Sequence, residues 1–179
     1  MKSQSFSLKP FPPAPGRLYL KIYGSITRRG QTLSIRYELS GRLAELAMAG
    51  PAEAPGRRHG LWEGTCFELF LGLKDSPRYW EFNLSPAGHW NVYRFESYRQ
   101  GMVEETAITA LPLRVQRRED SLSMALELDL KAIVPAGRAL EAAIAAVLKS
   151  REDEASYWAL SHPGVQADFH RRDGFRVEL

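Results

Sequence analysis

The chain has 179 residues, of which 24 are Lys or Arg and 21 are Asp or Glu, giving a net charge of +3. This length suits one domain with a self-sufficient apolar core, and the single cysteine, Cys66, excludes an intramolecular disulfide. The arginine pairs are scattered through predicted turns and form no basic stripe with interleaved aromatic residues, so we expect no nucleic-acid partner.

Residues 1–16 are rich in proline and polar residues and lack the apolar core of a secretory signal. No run of the sequence approaches the roughly 18 apolar residues that cross a membrane. We therefore expect an extended lead-in over residues 1–16, a single domain over residues 17–179, no membrane partner and a cytoplasmic location.

Most of the domain is predicted to consist of short strands. Apolar and polar residues alternate in segments separated by glycine, proline, serine and aspartate, as is typical of antiparallel sheets. We predict about ten such strands. In chain order they span residues 17–24, 31–40, 65–71, 79–85, 89–95, 106–116, 121–129, 138–148, 155–160 and 175–179.

Four further features refine this prediction. Residues 25–30 are expected to form the loop of the first hairpin, and Pro112 indicates a sheet edge or a bulge. Asp129 is placed to cap one helical turn over residues 130–134. Residues 138–148 are rich in alanine, which favours a helix, whereas their position among strands favours a strand, and we choose a strand. The elements together predict an all-β fold, an antiparallel β-sandwich with one or two short helical turns.

Residues 61–95 are predicted to build a polar and aromatic sheet face. Successive side chains of a strand point to opposite faces, and one face of these three strands is apolar. Glu68 is the one ionisable group in an otherwise apolar run, so it costs several kcal/mol unless it is paired or faces a wet cavity. The face opposite the core is predicted to carry Cys66, Glu68, Phe70, Tyr79, Glu81, Asn83, Ser85, His89, Asn91, Tyr93 and Phe95.

Two interpretations of this face stay open. Flat rings interleaved with amide, carboxylate and imidazole groups suit a sugar-like or a polar aromatic ligand, because rings stack on its apolar faces while polar groups fix its orientation. The solvated face of any antiparallel sheet, however, carries the same residue types without binding a ligand.

Several short strings of residues carry a resemblance to a known family. They are Trp62, TCFELFL at 65–71, YWEFN at 79–83, the SPAG turn at 85–88, Trp90, YWALSHP at 157–163 and DFH at 168–170. On these strings the chain, from about Leu18 to its C-terminal residue, resembles the bacterial DOMON-like domains related to family 9 carbohydrate-binding modules. The resemblance implies a β-sandwich of jelly-roll type and the binding of sugars or of haem.

The resemblance also implies a sugar site. By position, Trp62 and Glu68 resemble the ring and the carboxylate that hold a sugar in those modules, and Trp158 is our candidate for a second ring. The acidic clusters that hold structural calcium in the modules have no counterpart in this sequence. We therefore expect a non-catalytic domain that binds a small polar ligand, a carbohydrate first, with no cofactor and no metal. The predicted ligand-binding residues are Trp62, Glu68, Asn83, His89, Asn91, Tyr93, Trp158, His162 and His170.

Three alternatives remain at this stage. A haem could be held by Met102 with His162 or His170, and the same fold could serve as a protein-interaction module. A metal-dependent enzyme could use His162, Asp168 and His170 as two imidazoles and one carboxylate. The sequence does not determine the oligomeric state.

Overall fold

The computed structural model describes residues 2–12 and 19–179, except for the side chain of Lys2. Twelve strands join in one curled antiparallel sheet, so the all-β prediction is confirmed. Short 3-10 turns lie at Leu43–Glu45, Leu61–Glu63, Leu130–Ala132 and Arg172–Gly174. The strands are β1 (Lys2–Pro10), β2 (Lys21–Arg29), β3 (Thr32–Ser40), β4 (Cys66–Leu73), β5 (Tyr79–Leu84), β6 (Trp90–Phe95), β7 (Val103–Glu104), β8 (Arg114–Arg117), β9 (Ser121–Asp129), β10 (Leu140–Lys149), β11 (Ala155–Ala159) and β12 (Val177–Glu178).

The strand β1 joins the two halves of this sheet. Its first part pairs with β2, and its last two residues, Lys9 and Pro10, pair with β11. One half therefore runs β1-β2-β3-β9-β8, and the other runs β11-β10-β4-β5-β6-β7, with β12 beside β10. The sequence predicts no strand over residues 2–10, because serine and proline obscure the alternation of the buried Phe6 and Leu8. The predicted proline-rich lead-in and the predicted domain boundary extend into residues 13–18, which lie outside the described residues.

The ends of several strands and of one turn differ from the predicted ends. Residues 25–29 continue β2 instead of forming a loop, because the buried Ile26 belongs to the core, and the chain turns at Gly30 with φ 58°. Of the predicted strand 106–116, only its last residues enter β8. The side chain of Asp129 accepts a hydrogen bond from the backbone N–H of Lys131 at 3.0 Å, so it caps the predicted turn, which is shorter than expected.

The strand choice for residues 138–148 is confirmed by β10, which is buried along almost its whole length. Packing on both faces of this strand explains its alanine content, because small side chains fit between two packed layers. Leu140, Ile144 and Leu148 of β10 belong to the main core.

The main core combines the apolar faces of both halves of the sheet. Tyr37 of β3 contacts Phe67 of β4 edge to face, with ring centroids 5.3 Å apart, although β3 and β4 are not neighbours in the sheet. Its hydroxyl donates a hydrogen bond to the carbonyl of Glu68 at 2.9 Å. Within the part of the chain that the structure describes, no helix is long and apolar enough to cross a membrane.

A second, smaller apolar cluster lies on the other side of β4, β5, β6 and β10. This is the face that the sequence predicts to be polar and aromatic. Its buried members are Phe70, Tyr79, Tyr93, Phe95, Ala143, Ala145, Ala159 and Phe175, with Trp62 and Phe169 packed against them.

Candidate functional site

A cavity of about 410 Å³ lies on this second face, and we call it the site cavity. Its volume falls in the range of small-molecule sites, which is roughly 300–1,000 Å³. The floor comes from β4, β5 and β10, and the walls come from the turn before β4 and the loops after β6 and β11. Its lining residues are Trp62, Glu68, Glu81, Phe95, Arg99, Met102, Val147, Tyr157, Ala167, Phe169 and His170.

Strand register places Glu68 at the centre of the floor. Glu68 of β4 lies between Asn83 of β5 and Ala145 of β10. The small side chain of Ala145 leaves the space above Glu68 open. Glu81 lies opposite Phe70, which makes the two glutamates diagonal neighbours on one face.

The carboxylate of Glu68 is buried without a protein partner. Its side chain is 3% exposed, and within segments 2–12 and 19–179 no group donates a hydrogen bond to it. Burial raises the pKa of Glu68 well above its ordinary value, the nearby Glu81 raises it further, and Arg99 acts against both. The sequence-based expectation that Glu68 must be paired or face a cavity is met by the cavity.

Glu81 differs from Glu68 because it has a donor. Its Oε1 accepts a hydrogen bond from the side-chain amide of Asn83 at 2.7 Å, and its Oε2 lies 3.7 Å from Nε2 of His170. Burial raises the pKa of Glu81, while the bond from Asn83 and the charge of Arg99 oppose this rise. The floor therefore holds two carboxyl groups in unequal surroundings.

His170 is a neutral group in the cavity wall. Burial and the charge of Arg99 lower the pKa of His170 to about 4, so its contact with Glu81 is not an ion pair at neutral pH. The hydroxyl of Tyr79 accepts a bond from the backbone N–H of Arg99 at 3.2 Å and lies 2.8 Å from Nδ1 of His170. Tyr79 thus holds His170 through Nδ1, and Nε2 is the ring nitrogen nearest to Glu81.

Arg99 and Asp168 close the cavity between two loops. A nitrogen of the Arg99 guanidinium donates to Asp168 Oδ1 at 2.9 Å, and the hydroxyl of Tyr98 donates to Oδ2. The backbone N–H of His170 also donates to Asp168, at 3.1 Å. These bonds fasten the loop after β11 to the loop after β6.

Aromatic rings stand on both sides of the floor. Trp62 contacts Tyr93 and His59 edge to face, with centroids 5.5 and 5.0 Å away, and Tyr93 is hydrogen-bonded to Nδ1 of His59 at 2.9 Å. Across the cavity, Tyr157 and Phe169 are 6.1 Å apart. The cavity thus offers apolar ring surfaces around a polar floor.

The structure brings together part of the predicted site. Trp62, Glu68 and His170 line the cavity. Asn83 lies beneath it as the donor to Glu81, and Tyr93 supports Trp62 from behind.

Two predicted residues instead hold the loop before β4. Asn91 accepts a bond from Arg57 at 2.6 Å and donates to the carbonyl of Arg58 at 3.1 Å. His89 accepts a bond from the backbone N–H of Gly56 at 3.3 Å. Neither Asn91 nor His89 lines the cavity.

Trp158 and His162 lie elsewhere, so the predicted clamp between Trp62 and Trp158 is not formed. Trp158 is buried in the main core on the opposite side of the sheet, and its neighbour Tyr157 faces the cavity. His162 is bonded to the carbonyl of Lys9 at 2.8 Å and packs on Phe11, which ties the turn after β11 to the end of β1.

The residues considered for a metal site and for a haem site are distributed differently in the structure. Among residues 2–12 and 19–179, no three His, Cys, Asp or Glu side chains form a group that could hold a metal ion. His162 in particular lies apart from Asp168 and His170. Of the residues considered for haem, Met102 and His170 both line the cavity.

Several cavity residues are not among the predicted site residues. Glu81 belongs to the predicted face but was not included in the predicted site, and the alternation of β11 would have indicated Tyr157. Arg99, Ala167 and Phe169 come from irregular loops, which carry no periodic signal in the sequence.

No protein-family model and no curated protein sequence matches the chain. Solved structures are similar to it in fold. A proposed carbohydrate-binding protein from Bacteroides uniformis ATCC 8492 is 13% identical, with a TM-score of 0.70 over 97% of this chain and 84% of that one. A family 9 carbohydrate-binding module from Caldicellulosiruptor kristjanssonii, in complex with cellotriose, is 8% identical, with a TM-score of 0.54 over 88% of this chain and 72% of that one. The predicted relation of the fold to family 9 modules is therefore confirmed.

Proposed function

We propose that this chain is a non-catalytic binding domain whose site cavity receives a small carbohydrate. The observation that carries the proposal is the unpartnered carboxylate of Glu68, which lies at the bottom of a cavity walled by aromatic rings. This acceptor opens onto the cavity without a protein donor, and a ligand hydroxyl placed there would supply one.

The arrangement of the walls suits a pyranose. Trp62 on one side and Tyr157 with Phe169 on the other present ring faces and edges that can pack on the C–H surface of a sugar. Glu68 and the free oxygen of Glu81 would accept hydrogen bonds from hydroxyl groups, and Arg99 would donate to them. The second ring of the clamp is then Tyr157 or Phe169 in place of Trp158.

Solved structures of similar fold also support carbohydrate binding as the class of function. A module of the same fold has been solved with cellotriose, and the larger match is to a proposed carbohydrate-binding protein. We further propose that the curled sheet is a β-sandwich of jelly-roll type, that the chain is a DOMON-like domain and that it acts in the cytoplasm.

The direct test is calorimetric titration of the protein with a panel of mono- and disaccharides. Saturable binding should be weakened at least about tenfold by Trp62→Ala and by Tyr157→Ala, since each removes one ring surface. Tyr23→Ala is the matched control, because Tyr23 on β2 is 46% exposed and Tyr157 is 42% exposed. Absence of binding to every sugar, with the protein folded, would overturn the proposal.

A haem remains the second candidate because Met102 and His170 line the same cavity. Titration with haem should then give a Soret band of a six-coordinate iron that Met102→Ala and His170→Ala each alter. An unchanged spectrum of free haem would remove this candidate.

A further inference from the structure

The charges around the site cavity do not balance. Glu68 and Glu81 lie on the floor, and among the described lining residues Arg99 is the only one with a permanent positive charge. The guanidinium of Arg99 is bonded to Asp168, and its side chain is about half exposed. His170 is neutral near pH 7. A neutral sugar would therefore leave the ionised form of these carboxyl groups with no counter-charge besides Arg99, which Asp168 already binds.

Resting on the carbohydrate function proposed above, we propose that the ligand is an amino sugar whose ammonium group binds between Glu68 and Glu81. The two side chains are diagonal neighbours on adjacent strands and point into the same cavity. Both oxygens of Glu68, and Oε2 of Glu81, accept no hydrogen bond from the described residues. An ammonium has three donors and no acceptor, so it can bond to both carboxylates at once.

The surroundings of the two glutamates favour a cation over a hydroxyl. Hydrogen bonds between an ammonium and a carboxylate are shorter and about twice as strong as neutral ones. Trp62 and Phe95 also line the cavity, and a cation near an aromatic face gains further attraction. The rest of the sugar would pack against Tyr157 and Phe169.

Binding of an ammonium should release a proton. The titratable and charged groups around Glu68 are Glu81 from β5, Arg99 and His170 from the loops at the cavity, Cys66 from β4 itself and Tyr37 from β3. Burial raises the pKa of both glutamates and the charge of Glu81 raises that of Glu68 further, so this pair keeps a carboxyl proton to higher pH than an exposed glutamate does. A bound ammonium favours the ionised pair, and the carboxyl proton passes to the solvent while the ligand keeps its own.

The experiment is isothermal titration with glucosamine, glucose, N-acetylglucosamine and cyclohexylamine at a pH where the free amines are protonated. We expect glucosamine to bind at least about tenfold more tightly than the two neutral sugars. Titration in two buffers of different ionisation heat should show proton release with glucosamine and none with glucose. Glu68→Gln should remove the preference and the proton release, whereas the control Glu127→Gln on β9 should keep both.

The outcomes separate this inference from the function on which it rests. Equal or tighter binding of glucose overturns the amino-sugar inference and leaves carbohydrate binding in place. A preference for glucosamine that persists in Glu68→Gln overturns the assignment of the ammonium to this pair. Cyclohexylamine that binds as tightly as glucosamine supports the cation site and overturns the carbohydrate function. Proton release is measured on the unmodified protein, so the test holds even if a variant fails to fold.

Discussion

Glu68→Gln is expected to stabilise the empty protein at pH 8. The wild-type residue is 3% exposed, opens only onto the cavity and receives no hydrogen bond from the described residues, so no described group compensates its burial as a carboxylate. Leaving a buried polar group unsatisfied costs about 1–3 kcal/mol, and more for a charged group. Glutamine has the same shape without the charge and removes part of this cost. In a chain of this size, a change of about 1 kcal/mol in the free energy of unfolding shifts Tm by about 2–4 °C. We expect Glu68→Gln to raise Tm by that amount or somewhat more.

The pH dependence of this gain gives the sharper test. Because burial raises the pKa of Glu68 above its ordinary value of 4.5, the folded protein keeps a proton that the unfolded chain has already lost. The stability from this group is fully present below about pH 4.5 and is lost as the pH rises through the folded pKa. The Tm difference between Glu68→Gln and wild type should therefore be small near pH 4 and grow towards pH 8.

Scanning calorimetry from pH 4 to pH 8 measures this difference, with Glu127→Gln as the control for removing one negative charge from the other half of the sheet. A Tm difference between Glu68→Gln and wild type that is constant, or that shrinks as the pH rises, would refute the claim that ionised Glu68 destabilises the folded protein. It would mean that Glu68 is compensated in the folded protein.

Three further predictions follow from the same structure. Trp158→Ala should lower the free energy of unfolding by about 3–5 kcal/mol in chemical denaturation. Tyr157→Ala, one residue away, should change the free energy of unfolding little and weaken ligand binding instead. Equal effects of the two substitutions on stability would contradict the assignment of these side chains to opposite faces. In NMR titration the imidazole of His170 should stay neutral down to about pH 4, and a midpoint near its ordinary value of 6.5 would show that it is not buried as described. Tyr37→Phe should cost about 0.5–1.5 kcal/mol, because it removes the buried bond to the Glu68 carbonyl, and a variant as stable as wild type would mean that this bond contributes nothing net.

The sequence predicts the face of each central strand correctly because alternation is a local property. Glu68, Asn83 and Asn91 lie side by side in the register that a shared face requires. Strand ends are less well predicted, as Ser25–Arg29 and residues 106–113 show, because a core contact or a proline decides them and neither leaves a periodic signal. The strand over residues 2–10 is not predicted because serine and proline dominate that segment.

The predicted face does not by itself determine which side chains line the cavity, because residues on one face differ in their distance from it. Asn91 and Tyr93 share the face with Glu68 but lie towards its edge, where they hold the loop that carries His59 and Trp62. Arg99, Asp168 and His170 reach the cavity from loops that meet only after the chain has folded.

Trp158 and Tyr157 are neighbours in β11, and only Tyr157 lines the cavity. Both residues are aromatic, and the strand register decides which of the two faces the cavity. Trp158 pairs with Ala146, whose side chain belongs to the main core, and Tyr157 pairs with Val147, which lines the cavity. The small residues of β10 that suggested a helix are Ala143 and Ala145 on this face, which pair with Phe70 and Glu68 and add little bulk beside them. The position of the site is therefore set as much by the residues that leave room for a ligand as by those that would bind it.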